Sequence, residues 1–278
     1  MWLRTSPAAG WIRVLARRAL VLIAALVLLG PVLWRVDPGL LDLRARNLGP
    51  GWAHPLGTDQ LGRDMLARLL AGGRVTLAVG LAASALAVTI GTAIGALAGT
   101  FRRADAALMR LTDMFLSLPL LPLLLLAVML FRDPLAQRLG AQAGAFVLIV
   151  AAIGLTSWMH LARMVRAQVM ALAGRDFILA ARMVGNGSGR LIVRHLLPNV
   201  APQIGVAASL GFASAIMTES GLSFLGFGFP PDLPTWGRML AEGVAQIQTH
   251  PARVLLPGAL IAVTVLSVNA VCGVKAPQ

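Results

Sequence analysis

Few residues of this chain have the type and spacing that catalysis requires. Gly221, Leu222 and Ser223 show the Gly-x-Ser spacing of intramembrane serine proteases, whose serine needs an aligned general base. The last apolar segment contains no histidine or lysine that could act as this base. The sequence therefore predicts no catalytic residues, and a membrane-embedded hydrolase is the less favoured alternative.

Motifs for nucleotides and metals are also missing from the sequence. It contains neither the Gly-x-x-x-x-Gly-Lys phosphate loop nor the His-Glu-x-x-His metal pair. Cys272 is the single cysteine, which excludes an internal disulfide framework. The four histidines are scattered over different segments, at His54, His160, His195 and His250. We expect no metal site and no bound cofactor, so any ATP-driven process would draw its energy from another subunit.

Glu219 is the one acidic residue well inside an apolar segment. A charge there costs about 2.5–3.5 kcal/mol on membrane-insertion scales. A proton relay would need ionisable partners at the same depth, and none is evident in the other apolar segments. Glu219 should therefore face protein, a cavity or the outer interface.

Composition and hydropathy place the chain in the membrane. Of its 278 residues 58% are hydrophobic and 13% charged, far from the averages of soluble domains. Six segments are long enough, or nearly so, to cross about 30 Å of hydrocarbon at about 1.5 Å per residue. They are approximately Ala19–Trp34, Val75–Gly99, Met114–Phe131, Ala143–Leu161, Val200–Phe224 and Val254–Val274. The sequence predicts an all-α integral membrane protein with about six transmembrane helices.

The arginines predict the orientation of these spans. With the N-terminus inside, fourteen of the 24 basic residues are cytoplasmic, including the most basic loop, which runs from Arg163 to Arg194. Both termini are then cytoplasmic. Anionic lipid headgroups attract such juxtamembrane arginines, so the net charge of +13 indicates membrane lipids as partners and no nucleic acid.

The loop between the fourth and fifth spans has a distinctive pattern. Asp176 is placed to cap a short helix that ends near Val184, and Gly185 begins a turn that a helix cannot hold. A second helical piece, Arg190 to Leu197, should stop before Pro198. The sequence thus predicts a helix, a hinge and a helix at the membrane face.

Two further patterns concern helix geometry. Gly91, Gly95 and Gly99 align positions without side chains on one face of the second span, which favours close helix packing inside the subunit or against a partner. Pro119 and Pro122 should kink the third span because they remove backbone donors.

The loop resembles the cytoplasmic loop of permeases in binding-protein-dependent ABC importers. The matching residues are Ala180, Ala181, Gly185, Leu197 and Pro198. Leu179 stands where that family usually has Glu. The run from His54 to Asp64 with Arg68 and Gly73-Arg74, and the run from Glu219 to Gly228 with Trp236-Gly237, are similar to the dipeptide, oligopeptide and nickel permeases of this family.

The resemblance implies a permease subunit of the bacterial inner membrane. Its partners would be a second permease in a heterodimer, two cytoplasmic ATPases that use ATP and Mg²⁺, and an extracytoplasmic substrate-binding protein. Asp176, Ala180, Ala181, Gly185, Leu197 and Pro198 would couple the permease to the ATPases. Glu219, Ser220 and Gly221 would shape the outer mouth.

Several alternatives stay open at this point. Short peptides are favoured as the substrate over nickel or another small solute, only because most members of the resembled family transport peptides. A non-transporting scaffold is a less favoured interpretation. We divide the chain into residues 1–74 (N-terminal segment, first span and outer loop), 75–274 (permease core) and 275–278 (an atypical tail). The family normally continues after Asn269 into a longer tail.

The topology can be tested by cysteine labelling. In a Cys272→Ser background, a single cysteine near Gly187 should react with an impermeant thiol reagent only from the cytoplasm. A single cysteine near Leu233 should react only from outside. Labelling of both positions from the same side would contradict this topology.

Overall fold

The computed structural model of this chain describes residues 7–272, which contain eleven α-helices and no β-strand. The helices are α1 (Pro7–Leu33), α2 (Met65–Thr100), α3 (Arg102–Ser117), α4 (Leu120–Leu139), α5 (Ala141–Leu155), α6 (Met159–Ala173), α7 (Asp176–Met183), α8 (Ser188–Leu191), α9 (Leu197–Phe224), α10 (Trp236–Val244) and α11 (Ala252–Cys272). A 3₁₀ turn spans Leu43–Ala45, and a π-helical turn, Ile192–Leu196, joins α8 to α9.

Among the described residues, four helical segments are long and apolar enough to cross a membrane: α2, α4, α8 through α9, and α11. The pair α5 and α6 provides a fifth if it is one span bent by 43°. Only 11% of the most apolar 18-residue stretch of α4 is buried within the chain, so most of that helix is left for lipid or other subunits to cover. The predicted all-α integral membrane class is confirmed. The count of six, which needs α1 as a further span, stays a prediction.

Two of the predicted spans are broken. The third ends with α3 at Ser117 and restarts as α4 at Leu120, because Leu118 takes the extended conformation favoured before Pro119. Pro119 thus separates two helices instead of kinking one. Pro122 lies in the first turn of α4, where its missing N–H would have no intrahelical partner in any case. The fourth span bends after Leu155, where α5 ends.

The glycine stripe of α2 packs within the chain against α6. A β-carbon added to Gly91 would lie 2.7 Å from the carbonyl oxygen of Trp158, and one on Gly95 would lie 2.5 Å from that of Ala162. A β-carbon on Gly99 would lie 2.8 Å from the Cβ of Val169. Since all three clash with α6 or the residue before it, only glycine allows α2 to approach so closely.

An arginine of α2 supports a proline-containing turn of α1. Pro31 lacks the N–H that would bond to the carbonyl of Val27, four residues earlier. The Nε atom of Arg74 donates a hydrogen bond to that carbonyl at 2.9 Å. The basic residue thereby satisfies a carbonyl that an apolar environment would otherwise leave unpaired, and it ties α1 to α2.

The proposed boundary between residues 74 and 75 falls inside α2. That helix begins ten residues earlier because Asp64 caps it, accepting a hydrogen bond from Ala67 N at 2.6 Å. Residues 275–278, proposed as a separate tail, lie outside the described part of the chain. The division into three parts stays a prediction.

Candidate functional site

The short helix of the predicted hinge loop is α7, and its cap differs from the expected one. Arg175 is the N-cap residue, with extended backbone (ψ 146°) and no side-chain hydrogen bond to the helix. Asp176 is the first helical residue, so the prediction that it caps the helix is wrong. Its carboxylate still lies where the helix dipole favours negative charge.

The end of α7 depends on a left-handed glycine. Gly185 has φ +87°, and its N–H bonds to the carbonyl of Arg182 at 2.9 Å. The backbone N–H of Asn186 bonds to the carbonyl of Ala181 at 3.2 Å, and its side-chain Nδ2 donates to the same oxygen at 3.0 Å. These contacts satisfy carbonyls at the helix end in a way that a residue with a β-carbon would strain. Gly185 therefore marks the predicted turn.

The two alanines of the loop face opposite ways. Ala181 is only 8% exposed and, with Ile178, belongs to a buried hydrophobic cluster that includes Val165 and Val169 of α6 and Leu196. Ala180 is exposed. The solvent-exposed residues on this side of the loop form a surface that we call the outward face of α7. It consists of Phe177, Leu179, Ala180, Met183 and Val184. Ala181 is thus part of the chain's own core, and only Ala180 is available to another protein.

The second helical piece does not stop at Pro198. The π-helical turn Ile192–Leu196 leads directly into α9, and the N–H of Leu197 bonds to the carbonyl of Ile192, five residues earlier. Pro198 follows in the first turn of α9, where the backbone N–H that proline lacks is not required. α9 then continues through Pro202 to Phe224. The prediction of a helix end before Pro198 is wrong. The wide turn accommodates the proline and keeps the loop joined to α9 by unbroken helical backbone.

Glu219 lies in a closed cluster of hydroxyl groups at the far end of α9. Its side chain is fully buried, and Ser223 Oγ donates to its Oε1 at 2.7 Å. Thr235 Oγ1 lies 3.4 Å from Ser223 Oγ, and Thr76 Oγ1 accepts a hydrogen bond from Trp236 N at 3.2 Å. The cluster joins α9, α2 and the start of α10.

This burial changes the expected role of the residues around Glu219. Ser220 is 8% exposed and Gly221 lies inside α9 rather than in a turn. Glu219 and Ser220 therefore do not line an open mouth in this conformation. Ser223 is 2% exposed, so a substrate cannot reach its hydroxyl, which argues against the hydrolase alternative.

The run from His54 to Asp64 folds over the end of α2 and is held by buried ion pairs. Asp59 Oδ1 accepts hydrogen bonds from Leu61 N at 2.8 Å and Arg63 N at 2.9 Å, and its Oδ2 pairs with Arg63 Nε at 2.6 Å. Arg68 forms a second ion pair with Asp59. Burial alone would raise the pKa of the Asp59 carboxyl, but the N–H groups of Arg63 and Leu61 and the two guanidinium groups outweigh it and hold the pKa below its usual value.

Two members of this network were not singled out by the sequence. Glu242 of α10 lies 3.0 Å from Arg63 Nη2 and 2.8 Å from Arg68 Nη2. Arg253, in the first turn of α11, donates to the carbonyl of Thr58 at 2.6 Å. The spacing of Arg238 and Glu242, four apart on one helix, is a sequence signal for Glu242, and the two form an ion pair at 2.9 Å. Arg253 has no such signal in the sequence. We call the connected residues Asp59, Arg63, Arg68, Glu242 and Arg253 the outer cap network.

Asp64 organises the other side of the same run. Besides capping α2, it accepts from Trp34 Nε1 at 3.2 Å and lies 2.8 Å from Nδ1 of His54. The motif residues thus contact one another and the helix end, which accounts for their spacing structurally.

Comparison with known proteins gives a consistent family. Residues 87–274 match the family described as binding-protein-dependent transport system inner membrane component. The chain is 39% identical over 269 residues to a peptide permease protein of Brucella suis, covering 92% of this chain and 85% of that protein. It is 38% identical over 253 residues to the oligopeptide transport system permease protein OppC of Escherichia coli K12 (90% and 80% covered). It is 34% identical over 255 residues to OppC of Bacillus subtilis (91% and 79% covered).

Removing the shared acid of the outer cap network should destabilise the protein. Asp59→Asn leaves Arg63 and Arg68 with one carboxylate instead of two, and breaking a buried pair costs about 3–5 kcal/mol. We expect a lower apparent Tm in detergent. Asp133→Asn, at an exposed position, is the matched control and should unfold like the wild type.

The pH dependence of unfolding provides a second readout. Because folding lowers the pKa of Asp59, its contribution is present above the unfolded pKa of about 3.9 and is lost as the pH falls through the lower folded value. The difference in stability between wild type and Asp59→Asn should therefore shrink in acid. Equal Tm values at neutral pH would show that the network does not stabilise the fold.

Proposed function

Because the chain belongs to the binding-protein-dependent transport system inner membrane components, we propose that it forms the substrate pathway of an ATP-driven importer of short peptides. The observation that carries this proposal is the family match over residues 87–274. The relatives named for peptide or oligopeptide transport cover about nine-tenths of this chain. The chain is a multi-pass subunit of the inner membrane, and it is a transporter subunit rather than an enzyme.

We infer that it works with a second permease in a heterodimer, two cytoplasmic ATPases and an extracytoplasmic substrate-binding protein. The absence of a phosphate-loop motif in the sequence supports an external source of energy. The large unburied apolar surface of helices such as α4 is compatible with a neighbouring membrane subunit. Both termini would be cytoplasmic, on the same side as α7.

The outward face of α7 is the proposed docking surface for an ATPase. Its apolar side chains are open to solvent, with Met183 at 83% and Val184 at 84% exposure, which is unusual for a loop in water unless a partner covers it. Leu179, 44% exposed, replaces the usual Glu on this surface and would contribute an apolar contact.

The buried side of α7 provides a route by which a displacement of its outward face would reach the rest of the subunit. Ile178 and Ala181 belong to one buried cluster with Val165 and Val169 of α6 and with Leu196, so a movement of α7 would be passed to α6 and the π-helical turn. That turn continues into α9, whose far end carries the Glu219 cluster joined to α2 and α10. ATP-driven closure of the ATPases would shift the population between outward and inward openings along this path.

The substrate assignment is tested by uptake. A strain lacking this gene should lose most uptake of labelled di- or oligopeptides, and expression of the gene should restore it. Nickel uptake, measured in parallel, should stay normal. Normal peptide uptake with lost nickel uptake would reverse the assignment.

The coupling surface is tested by a pair of arginine substitutions. Ala180→Arg adds a long cation to the outward face of α7 without disturbing the chain's own core, while overpacking a close interface costs about 1–3 kcal/mol. We expect wild-type abundance, weakened co-purification of the ATPases and transport reduced roughly tenfold.

Gly189→Arg is the matched control, because Gly189 is exposed and a β-carbon there would meet nothing within 4 Å. It should transport normally. Ala181→Arg should instead lower abundance, since Ala181 is buried in the chain. Full ATPase association and transport by Ala180→Arg would overturn the proposed coupling surface.

A further inference from the structure

A cleft of about 720 Å³ opens between the N-terminal part of α1, the beginning of α9 and the end of α11. Three of its lining residues are arginines of α1: Arg13, Arg17 and Arg18. Arg13 and Arg17 are four residues apart, so their side chains share a face of the helix. The cleft therefore has one strongly basic wall.

Within residues 7–272 these arginines have no acidic partner. All eleven acidic side chains of the chain lie between Asp37 and Glu242, and each described ion pair joins other residues. Arg13 Nε is buried without a hydrogen-bond acceptor. A buried donor without an acceptor is unfavourable, so an anion in the cleft would satisfy it.

The other walls of the cleft are apolar and open. Val14, Val206 and Val271 line them, and a β-carbon added to Gly205 would meet nothing within 4 Å. The arginines that line the cleft come directly before the uncharged run of α1, which starts at Ala19. With α1 as the predicted first span, the charged part of the cleft would lie at the level of the lipid headgroups and its apolar part beside the hydrocarbon.

We propose that this cleft binds an anionic phospholipid, with the phosphodiester on Arg13, Arg17 and Arg18 and an acyl chain along the valines. Basic pockets between transmembrane helices bind such headgroups in other membrane proteins, and a free phosphate would leave the apolar walls uncovered. α1 packs on α2 and α11, whereas its direct packing on α9 is slight. A lipid in the cleft would therefore bridge α1 to the helix that continues from the hinge loop.

The test is a binding titration of the full chain, purified with its co-expressed subunits in a neutral detergent. Fluorescent phosphatidylglycerol is the probe, with phosphatidylcholine and glycerol phosphate as competitors. The double variant Arg13→Gln and Arg17→Gln should weaken phosphatidylglycerol binding by roughly 30-fold. Gly205→Leu, which adds a side chain to the cleft wall and removes no arginine, should weaken binding as well.

The double variant Arg102→Gln and Arg103→Gln is the matched control, because it removes the same charge from exposed positions on α3 and should bind like the wild type. Wild-type affinity in both cleft variants would overturn the proposal. Equal competition by phosphatidylcholine would show a nonspecific apolar groove, and equal competition by glycerol phosphate would show a site for free anions. Absence of binding in the assembled complex would show that another protein segment covers the cleft.

Discussion

The close approach of α2 and α6 is the contact on which the rest of the structure depends. Three glycines spaced one turn apart let the backbones meet where any side chain would clash with a carbonyl or a valine. In a membrane, apolar side chains gain little by leaving lipid for protein, so such tight packing has to supply the attraction between helices. α2 also packs against α1, α5, α9 and α10, and its position therefore sets theirs.

A second constraint, the satisfaction of polar groups, explains where the unusual residues lie. Arg74 donates a hydrogen bond to the Val27 carbonyl, which Pro31 cannot bond because it lacks an N–H. Glu219 lies in a cluster of hydroxyl groups. The outer cap network pairs its buried charges at the ends of helices, with Arg68 in the first turn of α2 and Arg253 in the first turn of α11. Each of these polar groups would be costly alone. Arg74 and Arg68 bond to partners on other segments, while Glu219 accepts from Ser223 on its own helix and is linked through Ser223 to Thr235 at the start of α10. These groups therefore act as specific ties between helices.

The hinge loop combines both constraints. One side of α7 is part of the core formed with α6 and the start of α9, and the other is apolar yet exposed. The π-helical turn keeps this core continuous with a membrane-spanning helix. In the proposed mechanism, a movement of α7 would reach the Glu219 cluster through this core and through the continuous backbone of the π-helical turn and α9.

The sequence by itself determined the membrane class, the location of the hinge loop, the turn at Gly185 and the glycine stripe of α2. These features follow from composition, from helical period and from the conformational freedom of glycine, all of which act over a few neighbouring residues. Sequence similarity to a family added the functional class.

Only the tertiary structure decided which loop alanine faces outward, where the fourth span bends, and which residues complete the buried networks. Local pattern cannot distinguish Ala180 from Ala181, because their exposure depends on where α6 and Leu196 lie. Arg63 and Glu242 are 179 positions apart, and no periodicity links them. Their pairing follows from helices packing against one another in three dimensions, and it cannot be predicted from the spacing of residues along the chain.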